Sequence, residues 1–257
     1  MGLIEYTEID FQTALERNYR GLTRGKTPIK RSIAILLGGQ SGAGKTTIHR
    51  IKQSHYNGSI IIIDGDTFRL QHPKFIDIQK EYGKKSVEYT NEFAGRMVES
   101  LIELLSEQHY HLLIEGTLRT VDVPRRTAVS LKSKGYQVEL SLIATKPYLS
   151  YLSTLLRYEQ NYSISPKYAR ATPKKYHDNI VGNLVENLNI LEKEKIFDRI
   201  QIFKRDKSCV YDSYKNGELM ASEKLHELLY GVWDLKEKEM LEYCENELKI
   251  LREAKRK

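Results

Sequence analysis

Long apolar runs are missing from this 257-residue chain. No stretch approaches the ~18 consecutive apolar residues that a membrane-spanning helix needs. Met1-Gly2-Leu3-Ile4-Glu5 lacks the basic and apolar regions of a signal peptide. Cysteine is scarce: Cys209 and Cys244 stand far apart and in no metal-like spacing, so reduced thiols are expected rather than a disulfide framework or thiolate site. Internal repeats and low-complexity linkers are absent as well. Tyrosine is frequent (17), yet no aromatic-plus-basic repeat of an RNA-binding module appears. Together these absences predict a cytoplasmic protein with no membrane and no direct nucleic-acid partner.

What the chain does have is 40% hydrophobic residues, enough for a core, and a formal net charge of +7. Basic residues are spread along it, the densest group being Arg252 with Lys255-Arg256-Lys257. A positive field of this kind attracts a nucleotide or an acidic partner protein.

Apolar runs at Ile33–Leu37, Ile60–Ile63, Leu112–Ile114, Val138–Ala144 and Arg199–Phe203 read as buried strands separated by helix-length segments. That alternation predicts an α/β fold with a mostly parallel central sheet and helices on both faces. A first helix capped by Thr7 carries Phe11, Ala14, Leu15 and Leu22 on one face. Further helices are expected over 88–107, over 124–134 with Pro124 at its start, over 147–160, and over 173–195 with Thr172 as cap. Residues 221–257 read as helical. Within them Asp234 and Glu237 form a capping box, and Leu241, Cys244, Leu248 and Leu251 make a stripe that packs on the protein's own core. One domain spanning 1–257 is therefore expected: helix within 1–30, core over about 33–205, helical segment over 221–257.

Gly39-Gln40-Ser41-Gly42-Ala43-Gly44-Lys45-Thr46 matches GxxxxGK[ST] with every fixed position filled, and it lies between the first strand and a helix. Such a loop turns backbone N–H groups and a helix N-terminus toward phosphate oxygens. Lys45 would reach the β/γ-phosphates of ATP (or GTP), and the Thr46 hydroxyl would ligate Mg²⁺.

Two further strands end in polar residues at the edge of the sheet where ligands bind. Ile63-Asp64-Gly65-Asp66 offers Asp66 as the group that orients or deprotonates an attacking hydroxyl, with Asp64 in a structural or second-sphere Mg²⁺ role. Asp-Gly-Asp is also good turn chemistry. A carboxylate beside phosphates is expected to have a raised pKa unless Mg²⁺ or Lys45 offsets it. The third strand delivers Glu115, Thr117 and Arg119 to the same rim. Arg157, on a helix, and Arg170 flank a loop at Asn161–Pro166. They suit a lid that neutralises charge on a transferred phosphoryl group, or else they are solvated arginines on helix faces.

GGQSGAGKTT at 38–47, IDGDTFRLQHP at 63–73, RMVESLI at 96–102, LIEGTLRTVDVP at 113–124, SYLSTLLRYEQNY at 150–162 and ARATPKKYHD at 169–178 together resemble the zeta toxins of bacterial toxin–antitoxin systems. The resemblance covers roughly 30–205. It implies a P-loop kinase fold and an ATP-dependent kinase that phosphorylates the 3′-hydroxyl of the amino sugar of UDP-N-acetylglucosamine, blocking peptidoglycan synthesis. By it, Lys45 and Thr46 match the nucleotide and Mg²⁺ positions, Asp66 the general base, and Arg157 and Arg170 the phosphate-stabilising pair. Glu99, Glu115, Thr117, Arg119 and Thr127 match the lining of the sugar-nucleotide pocket. Gly65 stands where some members carry Asn, which removes one side-chain contact to substrate. An antitoxin that covers the ATP site against the N-terminal helix is also implied, with two toxins bridged by an antitoxin dimer. Another small hydroxyl acceptor, such as an antibiotic, and a nucleotide switch that transfers nothing are the competing readings.

Overall fold

The computed structural model describes residues 2–216 and 218–255; Arg256 and Lys257 of the expected basic terminus lie outside the described residues. Among the described residues six strands form one sheet: β1 (Ile33–Gly38), β2 (Ile61–Ile63), β3 (Leu112–Glu115), β4 (Gln137–Ala144), β5 (Arg199–Lys204) and β6 (Cys209–Asp212). Their order is β2-β3-β1-β4-β5-β6. The first five pair in parallel and β6 pairs antiparallel to β5, so the sheet is mostly parallel as expected.

Helices α1 (Glu8–Thr23), α2 (Thr46–His55), α3 (Gly65–Phe68), α4 (Phe75–Tyr82), α5 (Ser86–Tyr89) and α6 (Asn91–Glu107) come from the first half of the chain. The second half supplies α7 (Asp122–Ser133), α8 (Pro147–Ile164), α9 (Lys174–Lys193), α10 (Ala221–Tyr230) and α11 (Leu235–Ala254). Side chains alternate across the strands, as the period of two demands. Ala34, Leu36, Leu112, Ile114, Val138 and Leu140 face a large core completed by α1, α6, α7, α9 and α10. Ile35, Leu37, Leu113, Ile143 and Phe203 face Ile48 of α2. A third cluster joins Leu149, Leu152 and Leu156 of α8 to Cys244 and Leu248 of α11, with Leu241 and Leu251 packed on it, so the stripe does serve the protein's own core.

Several expectations need correcting. The helix expected over 88–107 divides into α5 and α6 at Thr90, and the one expected over 124–134 begins at Asp122. Thr172 does not cap α9: Pro173 holds that position and has no side-chain acceptor, and Tyr176 N–H turns back to Pro173 O. Residues 161–164, expected in a loop, are the last turn of α8, which runs until Ser165, the residue before Pro166. The C-terminal segment is two helices parted at Gly231–Asp234, with the Asp234–Glu237 capping box present. The antiparallel strand β6 and the helical turns between Gly65 and Tyr82 carried too little periodicity to be recognised.

The Thr7 cap forms a capping box with Asp10, and α1 docks on α6 through an aromatic group. Phe11 is fully buried, with its ring 5.7 Å from that of Phe93 in an edge arrangement. Replacing Phe11 by Ala is expected to cost about 3–5 kcal/mol of unfolding free energy, read as a lower urea midpoint at unchanged slope.

Candidate active site

The parallel register brings three strand ends together. Leu37 of β1 pairs with Glu115 of β3, and Ile63 of β2 pairs with Ile114. One residue further along, Asp64 and Glu115 stand at one rim beside the loop that leaves β1. This is the crevice outside the carboxyl ends of the strands, where the order reverses around β1. A cleft of about 1210 Å³ opens there, lined among others by Lys45, Asp66, Glu115, Arg157 and Arg170.

The Gly39–Thr46 loop is held from below. Thr145 Oγ1 donates to Ala43 O at 2.8 Å, and Gln40 Nε2 donates to Thr145 O at 2.5 Å. Gly42 has φ +76°, and a Cβ there would fall 2.0 Å from Ser150 O, so both the conformation and the space require glycine. No side chain caps α2 and its first turn holds no acid, which leaves the positive end of its dipole for an anion. Lys45 Nζ donates to Gly39 O at 3.0 Å and lies 3.6 Å from Glu115 Oε1. Thr46 opens α2 and is exposed.

Asp64 caps α3 by accepting the Asp66 N–H at 2.9 Å. Burial pushes its pKa up, and the neighbouring Glu115 carboxylate adds to the rise. Asp66 behaves oppositely. Burial alone would raise it, but the charge of Arg170, a hydrogen bond and charge from Arg69, and the field of Arg157 outweigh that and hold it below the ordinary range. The offset thus comes from arginines. Arg69 Nε lies 2.9 Å from Asp66 Oδ1, and Arg170 Nη1 lies 3.4 Å from the same oxygen while donating to Asp66 O at 2.8 Å. Both arginines of the expected pair therefore face the cleft: Arg170 touches Asp66, and Arg157 acts through space.

Glu115 lies between Lys45 and His49. Burial raises its pKa, yet His49 and Lys45 prevail and lower it. His49 Nε2 stands 2.7 Å from Glu115 Oε2. Glu99, Thr117, Arg119 and Thr127 line the same cleft. Arg119 lies over the Tyr176 ring with its Cζ 4.9 Å from the centroid, and Thr127 Oγ1 donates to Val123 O at 2.9 Å. At Gly65 a Cβ would meet Val98 Cγ2 of α6 at 3.2 Å, a contact that a small shift of the valine would relieve.

Arg69 and His49 were missed by sequence reasoning. Arg69 reaches Asp66 only because residues 65–71 are helical, which turns an i,i+3 spacing into contact. His49 sits four residues past Lys45 on α2, and nothing in the sequence places it against β3.

The oxygen donors gathered here (Thr46, Asp64, Asp66, Glu115) have the hard character that suits Mg²⁺. Among the described residues no cluster of three or more His, Cys, Asp or Glu could hold a metal ion alone. Thr46 is the residue that would hold it, with Asp64 behind.

A family model described as zeta toxin matches residues 18–216. The chain is 62% identical over 253 residues to toxin PezT of Streptococcus pneumoniae serotype 4, covering 98% of this chain and 100% of that protein. It is 39% identical over 228 residues to toxin zeta of Streptococcus pyogenes, covering 89% and 79% respectively. Among solved structures, one from the PezAT chromosomal toxin–antitoxin system of Streptococcus pneumoniae superposes with a TM-score of 0.91 at 60% identity, covering 98% of this chain and 100% of that chain.

Removing Arg170 leaves burial less opposed at Asp66. In Arg170→Ala the Asp66 carboxyl is expected to titrate at higher pH than in the parent protein, followed by carboxyl ¹³C NMR. An unchanged midpoint would reject the arginine cause.

Proposed function

The chain belongs to the zeta toxin family, and we propose that it is the kinase toxin of a toxin–antitoxin pair. Its substrate in this reading is UDP-N-acetylglucosamine, phosphorylated by ATP on the 3′-hydroxyl of the amino sugar. The observation that carries the proposal is Asp66, kept ionised by Arg69 and Arg170 in the cleft that also receives the phosphate loop.

Asp66 orients the sugar hydroxyl and takes its proton as the oxygen attacks the γ-phosphorus. Because phosphoryl transfer depends mainly on positioning and charge, the arginines have a second task there. Arg157 and Arg170 stand beside the transferred group and neutralise the charge that spreads over its oxygens. Lys45 leaves its carbonyl partners for the β/γ-phosphates. Thr46 would hold a bound Mg²⁺, which would supply neutralisation of phosphate charge. Glu99, Glu115, Thr117, Arg119 and Thr127 line the acceptor part of the cleft, and Gly65 leaves a backbone contact in place of a side-chain one.

The family also supports a partner. A cognate antitoxin covers the ATP site against α1, in an assembly of two toxins and two antitoxins. The net charge of +7 favours an acidic antitoxin through steering.

The test is ³¹P NMR of the protein with ATP, Mg²⁺ and UDP-N-acetylglucosamine. A new sugar phosphomonoester is expected from the parent chain, and Asp66→Asn is expected to lose ~10²–10⁴-fold in turnover while still binding ATP. ADP at a basal rate with no new phosphoester would reject this acceptor and turn attention to another hydroxyl substrate.

A further inference from the structure

A serine, a histidine and an aspartate lie in line behind the phosphate loop. Ser150 Oγ is 2.9 Å from His177 Nε2, and His177 Nδ1 is 3.3 Å from Asp178 Oδ1. The order resembles a hydrolytic triad, but Ser150 is 0% exposed and His177 1%, so no substrate reaches the hydroxyl. The chain of contacts runs the other way, into the loop. Gln40, also 0% exposed, directs its Nε2 to Ser150 Oγ at 3.3 Å and to Thr145 O at 2.5 Å. The Gln40 carbonyl in turn accepts from Ala43 N at 3.2 Å and lies 3.4 Å from Lys45 Nζ. Ser150 braces the loop a second time, its own carbonyl lying where a Cβ on Gly42 would be.

The protonation pattern follows from the partners. Asp178 can only accept, since Lys174 at 2.5 Å holds its carboxylate ionised and its pKa down. Burial depresses the His177 pKa, which keeps the ring neutral. A neutral ring with Nδ1–H toward Asp178 has a bare Nε2, so Ser150 donates its one hydrogen to Nε2 in competition with Pro147 O at 2.9 Å. The Ser150 oxygen is then free to accept from Gln40. Each donor and acceptor in this line is matched, apart from Gln40 Oε1, which has no partner.

His177 lies in the first turn of α9, its N–H donating to Pro173 O. The residues around it, Pro173, Lys175 and Tyr176, line the cleft, and Arg170 lies four residues ahead of α9. One buried hydrogen-bonded line thus joins the nucleotide loop to the segment that carries the arginine at Asp66. We propose that His177 and Ser150 are positioning residues: they hold Gln40, and through the bond its carbonyl accepts from Ala43 N–H they hold the turn of the Gly39–Thr46 loop, so that nucleotide affinity depends on a histidine that never meets nucleotide. The inference rests on the nucleotide-binding reading of the Gly39–Thr46 loop.

The test measures the affinity of a fluorescent ATP analogue with Mg²⁺ for the full chain, well below each variant's melting temperature. His177→Leu fills the space without the hydrogen bond, and Ser150→Ala removes the hydroxyl. Each is expected to weaken binding ~10-fold, the loss of about one buried hydrogen bond. His177→Gln, whose amide reaches the Nε2 position, is expected to return affinity to within about threefold of the parent. A folded His177→Leu or Ser150→Ala variant with parent-like affinity overturns the proposal, as does failure of His177→Gln to restore it. If His177→Leu does not fold, Ser150→Ala decides. Absence of binding by the parent chain overturns the loop reading itself, and is seen before any variant is compared.

Discussion

The parallel register of β2, β3 and β1 is the constraint on which the cleft depends. Leu37 against Glu115 and Ile63 against Ile114 bring three strand ends level, so the phosphate loop, Asp64 and Glu115 share one rim. A slip of one residue in β3 would turn Glu115 into the core and an isoleucine to the rim, because successive side chains face opposite sides. Burial prevents that slip. Leu112, Leu113 and Ile114 are each packed against one of the two cores, and neither core can accept a carboxylate.

On that rim the acids are separated by their surroundings. Asp64 and Glu115 are neighbours in the same crevice, yet Asp64 is pushed toward the protonated form and Glu115 toward the ionised one. Glu115 has His49 and Lys45 beside it, and Asp64 has mainly Glu115. Asp66, one residue beyond Gly65, is released from this competition by Arg69 and Arg170. Three carboxylates within a short span thus divide, one pushed toward the protonated form and two held ionised.

Support for the loop comes mostly from the second half of the chain. Thr145 and Ser150 at the start of α8 hold Gln40 and Ala43, and α8 continues to Arg157. The same helix is backed by α11 through Leu149, Leu152, Leu156, Cys244 and Leu248. At its far end Glu159 pairs with Lys255 and lies 3.7 Å from Arg252 Nε. The C-terminal helix therefore braces the helix that carries Arg157, although it lies beyond the segment matched by the family model.

The amino-acid sequence by itself determined the α/β alternation, the phosphate loop, the helix caps at Thr7 and Asp234, and the placing of Asp66 beyond a strand end. These depend on local spacing: a glycine pattern, an apolar period, a capping residue. Where the local signal was short it failed. The turns of helix between Gly65 and Tyr82, the break at Thr90 and the edge strand β6 are settled by packing, not by periodicity. Tertiary structure alone decided that Arg69 meets Asp66, that His49 meets Glu115, and that His177 reaches Gln40 through Ser150. The last two contacts join residues 66 and 137 positions apart along the chain, and no spacing rule carries information over that distance. Burial does, because a polar group taken from water must find its partner wherever the fold has put one.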